Sequence, residues 1–155
     1  VYDNRPSSCR TYPLERAVNR NSKGGHTEEY YFLTRHEYCH GHDENSHFTV
    51  KEWVRLQRID AFNLMNDLWA EMDTLFASNP WQGEGSGGPK QQLAFMVCYN
   101  IDGFRQFVSQ QHLLDQYLIN RDQKKRIEKD DAELLKFGFE WLKEIFGSGS
   151  SLIKR

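Results

Sequence analysis

TVKEWVRLQRIDAFNLMNDLWAEMDTLFA, residues 49–77, carries the strongest periodic signal in the chain. Its first four residues, Thr49-Val50-Lys51-Glu52, form a capping-box pattern: a threonine oxygen takes one free amide of a helix start, and a glutamate three residues on reaches back to another. Behind this start, Ala61, Met65, Leu68, Met72 and Leu75 fall at alternating four- and three-residue steps. Phe62, Trp69 and Phe76 run beside them at every seventh position, with Asp60, Asn63, Asn66, Asp67, Glu71 and Asp73 mostly off the stripe. That spacing predicts one long amphipathic helix over about 49–77, with a wide apolar face.

Reading outward toward the C-terminus, Ser78-Asn79-Pro80 ends this helix, and the glycine-rich stretch Gly83 to Pro89 reads as a flexible linker. Gln92 to Ile101 reads as one short buried element, a strand. Asp102-Gly103 turns the chain, and Phe104, Phe107, Gln111, Leu114 and Leu118 share a helix face. Residues 120–130 are polar and read as a loop or an exposed helix extension. Asp130 with Glu133 opens a further helix, whose inner face is Leu134, Leu135, Trp141, Leu142, Ile145 and Phe146. Gly147 stops it, and residues 148–155 read as a flexible tail.

Toward the N-terminus, Thr27-Glu28-Glu29 suits a helix start and His40-Gly41 a helix stop, so Glu28–His40 is a candidate helix. The run Tyr30-Tyr31-Phe32-Leu33 suits a buried strand equally well. Residues 1–26 hold Pro6, Pro13 and Gly24-Gly25 with little apolar periodicity, and read as a basic irregular arm. The expectation is a mostly helical α+β fold, with one globular domain over 27–147. Three to four helices pack around the 49–77 helix, with at most a small sheet involving about 92–101.

Composition narrows the function classes. The 155 residues fit one domain, and their 14% of aromatics excludes whole-chain disorder. The longest apolar run, Leu93 to Tyr99, is far short of the roughly 20 residues of a membrane-spanning helix. A net charge of −2 argues against a dedicated nucleic-acid binder. The arm is the exception, with Arg5, Arg10, Arg16, Arg20 and Lys23 against Asp3 and Glu15. Cys9, Cys39 and Cys98 include no Cys-x-x-Cys pair, which argues against a disulfide-stapled fold and a zinc ribbon and favours a reducing intracellular compartment. The start at Val1 points to a processed form or a piece of a longer protein.

One local motif suggests chemistry. His36-Glu37-Tyr38-Cys39-His40 matches His-Glu-x-x-His, which on a helix puts two imidazoles on one face around a zinc ion. It resembles the active-site helix of zincin metallopeptidases. The resemblance implies a zinc-dependent hydrolase with His36 and His40 as ligands and Glu37 as general base. His47 or Glu52, with Glu71 as a further choice, would supply the third ligand. Such folds place a sheet ahead of the helix, whereas here only 35 polar, proline-bearing residues precede His36. A second reading is a structural zinc site drawn from His26, His36, Cys39, His40, His42 and His47. In the third reading the histidines cap a helix and line a polar loop, and no cofactor is bound.

Other motifs resolve quickly. Gly83-Glu84-Gly85-Ser86-Gly87-Gly88 matches Gly-x-Gly-x-x-Gly but lacks the preceding strand that dinucleotide binding needs. Asp43-Glu44-Asn45 starts like a calcium loop, but Phe48 and Val54 stand where glycine and glutamate are required. Trp81, in a loop after Pro80, is the candidate exposed anchor for a protein partner. The leading expectation is a non-catalytic, partner-binding or structural domain of a larger protein or complex, using Trp81 and the arm residues Arg5, Arg10 and Arg16.

Overall fold

The computed structural model describes residues 4–20 and 27–155. The element order is α1 (Ser7–Thr11), β1 (Leu14–Arg20), β2 (Thr27–Leu33), α2 (Val50–Leu56), α3 (Ile59–Ala77), α4 (Pro89–Tyr99), α5 (Ile101–Gln110), α6 (Arg121–Lys129) and α7 (Asp131–Ile145). The mostly helical α+β class holds, with one two-stranded antiparallel sheet among the described residues. No helix among them is long and apolar enough to cross a membrane. The chain divides into two compact units, Val1–Asn66 and Asp67–Arg155.

In the first unit the expected irregular arm is, in its described part, α1 and β1. Lys23, Gly24-Gly25 and His26 lie outside the described residues. The candidate helix Glu28–His40 is instead β2 followed by a turn, because the consecutive aromatics Tyr30, Tyr31 and Phe32 suit a pleated surface. β1 pairs with β2 in a register that sets Arg16 opposite Tyr31 and Ala17 opposite Tyr30. Arg16 is ion-paired to Glu29 at 2.7 Å, and Asn63 Nδ2 of α3 donates to Tyr31 Oη at 3.1 Å. The opposite face of the ribbon, with Glu15, Ala17, Tyr30 and Phe32, is exposed.

The capping box at α2 forms as read: Glu52 N donates to Thr49 Oγ1, and Thr49 N donates to Glu52 Oε2 at 2.8 Å. The long helix expected over 49–77 is broken, however, at Gln57-Arg58, where Arg58 adopts a left-handed φ of 53°. Gln57 is buried at this break. Its side-chain oxygen accepts from Arg5 Nη2 at 2.7 Å and its carbonyl from Arg10 Nη1 at 3.4 Å. A polar side chain at 8% exposure is stable there because its oxygens have donors.

In the second unit α7 packs against α4, α5 and α6. Its Asp130 cap accepts from Glu133 N, and Leu134, Phe137, Phe139, Trp141 and Leu142 are buried. Phe104 of α5 stacks on Phe137 and meets Trp141 in a tilted contact at 5.7 Å. Gly138 sits where α4 and α5 approach α7: a methyl there would lie 2.6 Å from Val97 Cγ1 and 2.8 Å from Phe104 Cε1. The segment 92–101, expected as a strand, belongs to α4 and the start of α5. Pro89 opens α4 at a position where no amide is needed.

The C-terminal residues expected to fray are bonded to their own unit. Leu118 N donates to Ile153 O at 2.8 Å, and Arg155 N to Gln116 O at 3.0 Å. Ser151 donates through both N and Oγ to Glu140, while Lys154 pairs with Glu144.

Candidate functional site

The histidine-rich segment follows β2. Residues 34–36 are irregular, Glu37-Tyr38 form a turn closed by Cys39 N donating to His36 O at 2.9 Å, and His40–Asp43 is a single 3₁₀ turn. His36 and His40 therefore do not sit on successive turns of one α-helix, which is the geometry the zincin resemblance requires. The His36 ring lies between two phenols, stacked on Tyr12 at 5.8 Å and on Tyr38 at 5.0 Å. His40 points to Asp43 at 3.7 Å, with both side chains in solvent. Glu37 and His47 are exposed.

The third-ligand choices are engaged elsewhere. Glu52 closes the capping box, and Glu71 accepts from Lys143 Nζ at 2.7 Å. Among the described residues no group of three or more His, Cys, Asp or Glu side chains is placed to hold a metal ion. His26, from the structural-zinc reading, lies outside the described residues. The zincin ligand set does not fit this geometry.

What the segment does build is a polar cluster on Tyr12, whose Oη lies 3.2 Å from His42 Nε2. A hydrogen bond with the Cys39 thiol is the largest cause raising the Tyr12 phenol above its ordinary pKa, with burial second. The phenol therefore stays protonated at neutral pH. The cluster ties the histidine loop to the residue that follows α1.

The arm residues also have internal contacts. Arg5 and Arg10 hold Gln57, and the Arg10 guanidinium sits 5.7 Å from the centroid of the Phe62 ring. Arg16 is paired to Glu29. Trp81 is half-buried against Phe76 at 5.4 Å and Phe146 at 6.2 Å, an aromatic clasp between the ends of α3 and α7.

The second unit also has a cavity of about 310 Å³, floored by Val108, Leu114 and Ile127. Of its cationic lining, Arg105 is paired to Asp131 and Lys124 to Asp115.

The feature that the sequence reading missed is a row of rings on α3 and α4. Trp69 packs on buried Phe139 at 6.1 Å. Tyr99 meets Trp69 edge-on at 5.9 Å, and Phe95 lies 5.4 Å from Tyr99. Phe95 is 63% and Tyr99 68% exposed. As a helix, the run Leu93–Tyr99 turns apolar groups to both sides: Ala94 and Val97 inward, Phe95 and Tyr99 outward. The available signals were Pro89 at a helix start and the four-residue step from Phe95 to Tyr99. Comparison with protein-family models, with curated proteins and with solved structures finds no match to this chain.

Proposed function

We propose that the chain is a non-catalytic, partner-binding domain and that the Trp69–Tyr99–Phe95 row is its docking face. The observation that carries this reading is the exposure of a helix face that is apolar where solvent-facing helices are polar. Exposed clustered aromatics mark interaction surfaces, and tryptophan and tyrosine dominate binding hot spots. Anchoring through Phe139 holds the row in one arrangement, so little ordering entropy is lost on binding.

Site-specific photocrosslinking in cells producing the full chain tests this. A photoreactive phenylalanine analogue at position 95 is expected to give a discrete adduct, and the same group at exposed Gln110 none. No adduct at 95, or equal adducts at both positions, would overturn the reading.

A further inference from the structure

We propose that the occupant of this ring row is helix α6 of a second copy of the chain. The inference rests on the docking-face reading above and names its partner.

α6 carries Arg121, Lys124, Lys125, Arg126 and Lys129 against Asp122 and Glu128. Lys124 is paired to Asp115, and Arg126 approaches Glu133. Arg121, Lys125 and Lys129 are exposed and have no ion pair among the described residues. They recur at every fourth residue, so they form one stripe, on the side of α6 away from buried Ile127. Four residues of helix rise about 6 Å, so the three cations stand about 6 Å apart along the axis.

Neighbouring rings of the row are similarly spaced, 5.9 Å from Trp69 to Tyr99 and 5.4 Å from Tyr99 to Phe95. Cations are attracted to ring faces, and arginine and lysine stems cover apolar surface. The charges also match. Within the second unit α3, which carries Trp69, has Asp67, Glu71 (already held by Lys143) and Asp73 and no lysine or arginine. Asp73 is exposed one turn beyond Trp69. An α6 stripe laid along the row places cations over rings and beside a carboxylate. The two surfaces lie on different helices of one chain, so two copies can satisfy each other reciprocally.

Sedimentation equilibrium of the full chain tests the pairing. The expected result is a mass above 18.3 kDa that rises with concentration and falls at high salt. Tyr99→Ser and Lys125→Glu are each expected to weaken association about tenfold. Both positions are exposed; circular dichroism checks the fold, and Lys125→Gln repeats the test without a reversed charge. An equimolar mixture of Phe95→Ser/Tyr99→Ser chains with Lys125→Glu/Lys129→Glu chains is expected to associate more strongly than either variant alone, since the first keeps the stripe and the second keeps the rings, which restores one of the two reciprocal contacts.

A chain that stays monomeric at low salt, association indifferent to Lys125→Glu, or a mixture that associates no more strongly than either variant alone would overturn the proposal. A photoadduct at position 95 with a different protein, beside a monomeric chain in solution, sinks the pairing and leaves the docking face standing. No adduct at position 95 sinks the docking face itself.

Discussion

At the scale of single residues, two positions carry unusual weight. Gly138 lies inside α7, where glycine is a poor helix former, yet a methyl would press on Val97 and Phe104, both fully buried. Alanine gains up to about 1 kcal/mol of helix propensity and overpacks a contact that has no room to yield. Overpacking costs about 1 to 3 kcal/mol, so after that gain Gly138→Ala is expected to destabilise by up to about 2 kcal/mol, read as a lower urea midpoint. A variant as stable as the parent would show that α4 and α5 can give way. Gln57 is the second position. Gln57→Ala removes the acceptor of Arg5 inside a partly buried contact and is expected to cost about 1 to 2 kcal/mol. A double-mutant cycle with Arg5→Met checks this, and additive losses would exclude coupling between the two.

At the scale of elements, the closing contacts of residues 151–155 depend on carboxylates. Burial opposes ionisation of Glu140, but hydrogen bonds from Lys143 and Ser151 outweigh it and hold its pKa below the ordinary value. Lys154, then Tyr117, lower that of Glu144. Depressed carboxylates contribute stability fully above their unfolded pKa, about 4.3, and lose it as pH falls through the folded value. Amide protection at Ser151 is therefore expected to hold near neutrality and to drop below about pH 4. Glu140→Gln is expected to flatten that dependence. Protection unchanged down to about pH 3 would show that other contacts hold the segment.

Two side-chain-capped helix starts were legible in sequence, Thr49 with Glu52 and Asp130 with Glu133, whereas the asparagine caps Asn100 of α5 and Asn120 of α6 were not. The break at Gln57-Arg58 was not legible. Both residues fit the polar face of a continuous helix, and Arg5 and Arg10, which bond Gln57, are about 50 residues away in sequence. α4 was missed because a seven-residue apolar run has no period to tell a helix from a strand. The candidate site followed from that miss. Reading 92–101 as a buried strand hid the outward step from Phe95 to Tyr99, while His36 and His40 flank a turn rather than share a helix.

At the scale of the whole molecule, the class was legible and the division at Asn66/Asp67 was not, since the apolar stripe of α3 runs through it without interruption. The three free cysteines sample both units: Cys9 and Cys39 the first, Cys98 the second. Cys9 is exposed, while burial pushes the Cys98 thiol up to about 11. The thiolate is the nucleophile, so at neutral pH Cys98, with about a hundredfold less thiolate than an ordinary thiol, is expected to alkylate much more slowly than a free cysteine peptide. Peptide mass spectrometry over a time course measures this, and equal rates would contradict the burial of Cys98.

The engagement of Arg155 N with Gln116 O also matters to anyone attaching a reporter. A fluorophore attached at Arg155 starts from backbone already fixed to the Leu113–Gln116 turn, so its depolarisation should follow rotation of the second unit rather than a wagging tether. Acidification that frees Ser151 would then be read as a sudden gain in fast local motion of the dye.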